Sequence, residues 1–400
     1  MPQKSTKQSL LNSLQDRETW QVFYEYKKEK ARLTKQEETD LKDFVENKKY
    51  KTIAAKINRH GFCFDNPEIK IVNKAGTSKK RIVYCYKQDE VFILKLLVNL
   101  LYKYDHHFSP NCFSFRKDFG VRRAVNNLLQ QINGKKLFCY KLDIKNYFNS
   151  IDVNLLLPQL KALFTDDDML YNFFEKMLTW ESGHGVMAGT PTSPFLSNVY
   201  ITDLDKYFFD AGVPYARYSD DVIVFANSFE KLEEHKTYIK SFLNKMNLVV
   251  NENKEQTIEP GEPWSFLGIE YNNGHVDLSP VTIDKIKAKI RRKARAILRW
   301  KNKKGAPDDK ALKVMIRVFN KKFFESANVG DLTWSRWFFP LLTTDKGLHE
   351  VDNYLQMQLR YLATGKHNKT NFSKVSYEAL KNEGYISLVN RFHKGAEKKE

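Results

Sequence analysis

Hydrophobic and polar positions change their spacing along the chain. Short apolar or alternating runs at 81–86, 137–144 and 222–226 predict β-strands. Longer stretches with apolar residues every three or four positions predict helices at 91–103, 153–164, 166–179, 196–210 and 230–247. The strands are distant in sequence and do not alternate regularly with the helices, so an α+β fold is expected.

The same patterns predict three domains. Residues 1–58 mix charges of both signs with spaced apolar residues, which predicts an N-terminal extension of two or three surface helices. Residues 59–278 contain the predicted strands and form the second domain. From residue 279 to residue 400 the chain becomes helical and basic, which predicts a separate C-terminal domain.

The start of the third domain concentrates positive charge. Residues 281–320 contain 14 Lys and Arg against three Asp and Glu, and the whole chain has a net charge of +18. Within the predicted helix 285–300, apolar residues recur at helical spacing and leave Arg291, Arg292 and Arg295 on the other faces. A solvated charged face is the alternative, but charge of one sign repels itself, which favours a polyanionic partner such as nucleic acid.

Composition excludes some classes of protein. Apolar residues make up 42% of the chain, so it can bury a large core and is not a disordered tail or a fibre. The four cysteines have no zinc-ligand or redox-motif spacing, which is typical of reduced core residues. Neither a signal peptide nor a membrane-spanning segment is expected. These features predict a cytoplasmic protein with no membrane partner.

Three carboxylates occupy positions where a charge is costly. Asp143 ends an apolar run, while Asp220 and Asp221 lie between two β-compatible segments, as at the tip of a hairpin. Adjacent carboxylates between apolar strands repel each other and are poorly solvated, and a divalent cation resolves both problems. Hard oxygen ligands favour Mg²⁺. A turn that happens to contain Asp-Asp is the alternative to a catalytic site.

The order of motifs from about residue 70 to 275 resembles that of bacterial reverse transcriptases, which include group II intron, retron and defence-associated enzymes. The matching segments are KKRI at 79–82, FSFRK at 113–117, YKLDIKNYFNSID at 140–152, GTPTSPFLSN at 189–198, YSDD at 218–221, NENK at 251–254 and FLGI at 266–269. The resemblance implies a right-hand polymerase with fingers and an antiparallel palm sheet at 59–278 and a helical thumb at 279–400.

The resemblance also implies roles for the catalytic residues. Asp143 and Asp220 would bind two Mg²⁺ ions, for which Mn²⁺ is a possible substitute, with Asp221 in support and a backbone carbonyl from Ile144. Lys254 would be the general acid for departing pyrophosphate; a solvated surface lysine is the alternative. These residues imply two-metal phosphoryl transfer.

Further residues would bind the nucleotide and the nucleic acid. Lys80 and Arg81 would bind the triphosphate, the Phe148 ring would exclude a 2′-hydroxyl, and Gly189 belongs to the motif that contacts nucleotide and template. The hairpin of Phe266, Leu267 and Gly268 would hold the primer end. The arginines at 291, 292 and 295 would face the template–primer duplex. The expected ligands are therefore deoxynucleoside triphosphates, an RNA template and a DNA primer or product.

One position departs from the family pattern. Related enzymes usually place glutamine before the glycine of the Pro-Thr-Ser-Pro motif, and this chain has Ala188 there. We expect weaker control by the template, or a polymerase devoted to one structured non-coding RNA. Residues 377–393 are similar to stand-alone "unknown group" and abortive-infection enzymes. The whole chain has a compact layout similar to that of type 2 defence-associated enzymes. These resemblances imply a role in antiphage defence.

Two other functions stay open at this point. Synthesis could be template-independent or primed by a tyrosine of the protein. Alternatively, the chain could be a catalytically silent scaffold that binds RNA. The three retained aspartates argue against the scaffold.

Overall fold

The computed structural model describes residues 8–29, 33–73, 80–181, 183–324, 333–365 and 371–396. Packing divides the chain into two compact units, Met1–Pro260 and Gly261–Glu400. Both units combine helices with strands, which confirms the mixed α and β content. The right-hand arrangement and the domain boundaries at 58/59 and 278/279 stay predictions. Within the described ranges, none of the helices combines the length and the apolar character that crossing a membrane requires.

The first unit contains most of the helices. They are α1 (Arg17–Glu29), α2 (Lys35–Glu46), α3 (Tyr50–His60), α4 (Gln88–Leu101), α5 (Val121–Ile132), α6 (Tyr147–Ser150), α7 (Val153–Leu163), α8 (Asp168–Leu178), α9 (Ser193–Tyr200), α10 (Thr202–Asp210) and α11 (Phe229–Lys245). Three short 3₁₀ helices span Leu10–Gln15, Tyr102–His107 and Glu252–Lys254.

Two antiparallel sheets belong to this unit. Its strands are β1 (Glu68–Asn73), β2 (Lys80–Cys85), β3 (Phe138–Asp143), β4 (Tyr215–Tyr218), β5 (Asp221–Ala226) and β6 (Gln256–Ile258). β1 and β2 form an exposed ribbon, whereas the other four form a central sheet in the order β4-β5-β3-β6. The three strands predicted from apolar runs are confirmed as β2, β3 and β5, with ends that differ by at most one residue.

Helices cover the central sheet and explain the apolar character of its strands. α11 packs against β3 and β5, and α5 and α10 pack against β4. Residues 222–226 of β5 are consequently buried on both faces, which is why this strand is a continuous apolar run rather than an alternating one. The sheet therefore holds the ends of β3 and β5 in fixed positions.

The N-terminal helices bury an aromatic face. Two or three surface helices were expected at 1–58, and in the described part of that segment Trp20, Phe44 and Tyr50 are buried in the same core as residues of the central sheet. The Trp20 ring stacks on Tyr50 at a centroid distance of 5.1 Å and meets Phe44 edge-on at 5.2 Å. Charged residues on the outer faces dominate the composition of these helices, so the composition does not reveal the few aromatic residues that they bury.

The prediction of one continuous helix at 196–210 was wrong. The structure has α9 and α10, which are separated at Ile201, where φ is −120° and ψ is 25°. Apolar residues flank this break on both sides, so the periodicity gives no sign of it.

The second unit begins with a three-stranded antiparallel sheet and continues with helices. The strands are β7 (Trp264–Phe266), β8 (Ile269–Asn272) and β9 (His275–Leu278). The helices are α12 (Pro280–Lys304), α13 (Asp308–Phe323), α14 (Trp334–Phe338), α15 (Lys346–Thr364), α16 (Asn371–Lys374), α17 (Tyr377–Asn382) and α18 (Leu388–Ala396). The basic α12 packs its apolar face against α13 and α15, as its spacing predicted.

Candidate active site

The pairing of β3 with β5 brings two of the predicted catalytic aspartates together. In the antiparallel register of these strands, Asp143 at the end of β3 lies opposite Asp221 at the start of β5. Asp143 is only 5% exposed. Sequence-distant carboxylates therefore meet at one end of the central sheet, as predicted for a strand lying beside the hairpin.

The third aspartate lies in the tight turn between β4 and β5. Tyr218 pairs with Asp221, so Ser219 and Asp220 form a two-residue loop. Ser219 has a φ of 62°, and a positive φ at the first loop position is typical of a type II′ hairpin turn. The Ile144 amide donates to the Asp220 carbonyl at 2.9 Å, which ties this turn to the residue that follows β3.

Burial makes the charges of this cluster costly. Burial, together with the charge of Asp143, raises the pKa of Asp220. Burial and the nearby charges of Asp220 and Asp143 raise the pKa of Asp221 to about 6. Low dielectric and like charges both disfavour ionised carboxylates, so nearby positive charge would stabilise the ionised form of this cluster.

Lys254 supplies part of that positive charge. Its ammonium group donates to Asp143 Oδ2, and Asn251 Nδ2 donates to Asp143 Oδ1 at 3.0 Å. The Asn251 amide also donates to the Asp143 carbonyl at 2.8 Å, which fixes the segment before β6 beside β3. Burial by itself lowers the pKa of Lys254, but the bond to Asp143 and the charges of Asp221 and Asp220 raise it overall.

The donor atoms fit a hard divalent cation, although their arrangement is not that of a formed metal site. Asp220 and Asp221, partly buried and with raised pKa values, offer the oxygen ligands that Mg²⁺ prefers. Over the described ranges, however, no group of three or more His, Cys, Asp or Glu side chains is positioned to hold a metal ion. The Lys254 ammonium group pairs with Asp143 in this structure.

Phe148 lies on α6, a single helical turn soon after β3. Its ring stacks on Tyr147 at 5.8 Å, and its backbone carbonyl accepts from the Val186 amide at 2.8 Å. The next residue, Asn149, donates from Nδ2 to the Ile82 carbonyl at 3.1 Å and accepts from the Ala188 amide at 2.9 Å. Sequence reasoning did not identify Asn149, which connects α6, β2 and the Pro-Thr-Ser-Pro segment.

Other predicted nucleotide contacts lie along β2. Lys80 and Arg81 are exposed at the start of this strand, whereas Lys79 lies outside the described residues. The far end of β2 reaches the Pro-Thr-Ser-Pro segment, where the Tyr84 amide donates to the Ala188 carbonyl at 2.8 Å. Gly189 has a φ of 106°, and a Cβ there would lie 3.1 Å from the Tyr84 carbonyl oxygen, so this close approach requires glycine.

A buried ion pair under the hairpin was missed by sequence reasoning. Arg217 of β4 and Asp205 of α10 have side chains with no exposed surface, and Arg217 Nη2 donates to Asp205 Oδ2 at 2.6 Å. Arg217 Nη1 also donates to Asn198 Oδ1 at 3.1 Å and to the Ser219 carbonyl at 3.3 Å. The pair thus anchors the hairpin tip. An arginine among apolar strand residues was the available signal, but its partner cannot be identified from spacing.

The predicted primer-binding residues belong to the second unit. Leu267 and Gly268 form the two-residue loop between β7 and β8, with φ values of 51° and 91° that are typical of a type I′ turn. The Gly268 carbonyl accepts from Thr282 Oγ1 at 2.8 Å, while the Phe266 ring is buried. On α12, the three predicted arginines are exposed, at positions 291, 292 and 295. Their contact with nucleic acid stays a prediction.

Residues 72–271 match the model of the family described as reverse transcriptase (RNA-dependent DNA polymerase). The chain belongs to the reverse transcriptase family. The match covers β2 to β8, including the aspartate cluster, the Pro-Thr-Ser-Pro segment and the loop of Leu267 and Gly268. Family membership and the related sequences support an RNA-directed DNA polymerase.

Two retron enzymes of Escherichia coli are similar to this chain. The Ec86 reverse transcriptase is 24% identical over 56% of this chain and 68% of the relative. The Ec83 reverse transcriptase is 27% identical over 31% of this chain, and the match spans only 44% of the relative. These matches support a reverse transcriptase domain; the predicted defence-associated class is a finer assignment and stays a proposal.

Solved telomerase structures are also similar. Telomerase from Candida tropicalis, bound to a fragment of telomeric RNA, aligns over 87% of this chain and 60% of its own, with 15% identity and a TM-score of 0.45. The apo enzyme truncated from its C-terminal domain aligns over 54% of this chain and 55% of its own, with 16% identity and a TM-score of 0.43.

Proposed function

We propose that the chain synthesises DNA on an RNA template by phosphoryl transfer at Asp143, Asp220 and Asp221. The observation that carries this proposal is the β3–β5 register, which sets Asp143 opposite Asp221 beside the tight turn that contains Asp220. Phosphoryl transfer needs concentrated positive charge where the phosphate reacts. The partly buried carboxylates of Asp220 and Asp221, whose pKa values are raised, are suited to gather that charge.

Two Mg²⁺ ions, or Mn²⁺ as a substitute, are the proposed cofactors. Asp143 and Asp220 would hold them, with Asp221 in support and a backbone carbonyl from Ile144; the bound ions would activate the primer hydroxyl and stabilise the departing pyrophosphate. For Asp143 to bind a metal ion through Oδ2, Lys254 would have to leave that atom. The released ammonium group would then be free to donate a proton to pyrophosphate, which is the general-acid role proposed for Lys254.

Deoxynucleotide selection is assigned to α6 and the exposed ribbon. The Phe148 ring would occupy the space that a ribonucleotide needs for its 2′-hydroxyl. Lys80 and Arg81 would bind the triphosphate, because exposed cations at the start of β2 are available to phosphate oxygens. Gly189 allows β2 to approach the Pro-Thr-Ser-Pro segment, which supports a shared nucleotide pocket.

Nucleic-acid binding is assigned to the second unit, as the thumb of a right-hand polymerase. α12 buries one apolar face and exposes a series of cations, including those at positions 291, 292 and 295, which suits a phosphate backbone. The turn of Leu267 and Gly268, after Phe266, would hold the primer end. The expected partners are an RNA template and a DNA primer or product.

We assign the template to one structured non-coding RNA and the biological role to antiphage defence in the bacterial cytoplasm. The resemblance of residues 377–393 to stand-alone defence-associated enzymes supports the role. Ala188 supports a specialised polymerase, because its methyl group cannot make the polar contact that glutamine makes in related enzymes. The same residue favours the second candidate function, weakly templated or protein-primed DNA synthesis.

One purification tests these proposals. The protein is isolated from cells that carry its native locus; bound RNA and the DNA made with Mg²⁺ and deoxynucleotides are then sequenced. DNA complementary to one co-purifying RNA, absent from the Asp220→Ala/Asp221→Ala variant, is the expected result. Homopolymeric DNA, or DNA that stays attached to protein after phenol extraction, supports the second candidate. Bound RNA without DNA synthesis contradicts both.

A further inference from the structure

Phe115 combines features that a residue chosen only for packing does not need. Its side chain is 43% exposed, although phenylalanine is a large apolar residue. Its backbone φ is 58°, in the left-handed region that bulky side chains rarely occupy. Such strained positions persist where the surrounding structure imposes them, and they concentrate at ligand-binding sites.

The residues on both sides of Phe115 impose this conformation. Ser114 is fully buried, and its Oγ accepts from the Ser219 amide at 2.8 Å. Arg116 is also buried and donates from Nη1 to the Ser109 carbonyl at 2.6 Å and from Nη2 to the Asp105 carboxylate at 3.0 Å. Two anchored neighbours that both point inward leave the Phe115 ring on the outside.

The exposed ring lies beside the candidate active site. Its centroid is 6.2 Å from the Phe148 ring and 6.4 Å from the Tyr218 ring, both at tilted angles. Tyr218 pairs with Asp221 across the catalytic hairpin. Three aromatic rings from separate segments are therefore grouped near the aspartates, and Phe115 is the most accessible of them.

We propose that the Phe115 ring is a stacking platform for a nucleobase held at this site, either the base of the incoming nucleotide or the template base. The inference rests on the proposed function. Stacking on an aromatic ring tolerates every base, because each base has a π-face. A contact of this kind suits a site in which Ala188 provides no polar side chain for the substrate.

The test uses Phe115→Gly, Phe115→Trp and the control Asp118→Gly. Glycine adopts a positive φ without strain, so Phe115→Gly removes the ring while it preserves the backbone. Asp118 has a φ of 61° in the same loop and is exposed, so Asp118→Gly measures the effect of glycine itself. For each protein we would measure the dissociation constants of mant-dATP and of a fluorescein-labelled RNA–DNA primer–template, the KM and kcat for dATP, and the melting temperature.

Loss of one stacked base should weaken binding about tenfold. For Phe115→Gly, weaker mant-dATP binding with a higher KM identifies the incoming base, and weaker primer–template binding identifies the template base. Phe115→Trp should bind within about twofold of the natural protein, and Asp118→Gly should bind like it. The melting temperature of Phe115→Gly should not fall.

Two results would overturn the inference. The first is unchanged binding of both probes to Phe115→Gly, and the second is a loss that Phe115→Trp does not restore. Failure of the proposed function has a different signature: the natural protein extends no primer, whatever the binding measurements show. Because the binding constants are measured without turnover, they decide the stacking role in that case as well.

Discussion

Removing the charge of Asp205 should destabilise the first unit strongly. Both Asp205 and Arg217 are fully buried, and the carboxylate accepts from Arg217 Nε at 2.8 and 3.0 Å, from Arg217 Nη2 at 2.6 Å and from Tyr215 Oη at 2.9 Å. Asp205→Asn keeps the size of the side chain but leaves the guanidinium charge buried without a counter-charge. Breaking a buried pair in this way costs about 3–5 kcal/mol.

The expected loss is measurable by calorimetry. In a unit of this size, about 3–5 kcal/mol corresponds to a fall of roughly 6–20 °C in melting temperature. Asp210→Asn is the matched control, because Asp210 is an exposed residue of the same helix. Primer extension should fall as well, since Arg217 also donates to the Ser219 carbonyl at the catalytic turn.

A double variant distinguishes the effect of an unbalanced buried charge from the effect of a changed side-chain volume. The double variant Asp205→Leu/Arg217→Met removes both charges, so it should recover roughly half of the lost stability, because apolar replacement of a whole buried pair is often tolerated. A destabilisation of less than about 1 kcal/mol for Asp205→Asn, as for a surface substitution, would refute the reasoning. A double variant less stable than Asp205→Asn would also contradict it.

Three further predictions concern the active site. Phe148→Ala should raise the use of ribonucleotides relative to deoxynucleotides roughly 10–100-fold, measured by kcat/KM for each, because the ring no longer excludes the 2′-hydroxyl. Asp221→Asn should stabilise the metal-free protein at pH 7 by about 3 kcal/mol, since a pKa of about 6 against an ordinary 3.8 costs about 1.4 kcal/mol per pH unit. The folded state binds the proton more tightly than the unfolded state, so this penalty is fully present above about pH 6 and disappears as the pH falls toward 4. Ala188→Gln should increase nucleotide preference about fivefold, because the glutamine side chain can add about one hydrogen bond.

Each of these predictions has a result that contradicts it. Unchanged sugar selectivity in Phe148→Ala would remove the gate role, with Phe115→Leu as a control for loss of a nearby ring. Equal melting temperatures of Asp221→Asn and the natural protein from pH 4 to pH 7, in the presence of a chelator, would show that the carboxylate carries no buried-charge penalty. No change in fidelity or nucleotide preference in Ala188→Gln would count against weak template control.

The local parts of the site could be predicted from the amino-acid sequence. Apolar runs predicted β3 and β5, the adjacent aspartates predicted a hairpin tip, and the apolar spacing of α12 predicted the face that it buries. These features depend on neighbouring residues, whose periodicity reflects which side chains a strand or helix must bury. The order of the motifs indicated the reverse transcriptase family, and the match over residues 72–271 confirms it.

The contacts between sequence-distant groups could not be predicted in this way, because they depend on tertiary packing. The pairing of Asp143 with Asp221, the bond of Lys254 to Asp143 and the ion pair of Arg217 depend on strand register and helix packing. The left-handed backbone of Phe115 has the same origin, since buried contacts of its neighbours impose it against local preference. Local sequence patterns do not encode such long-range contacts, because their free energy arises only when the assembled core removes polar groups from water.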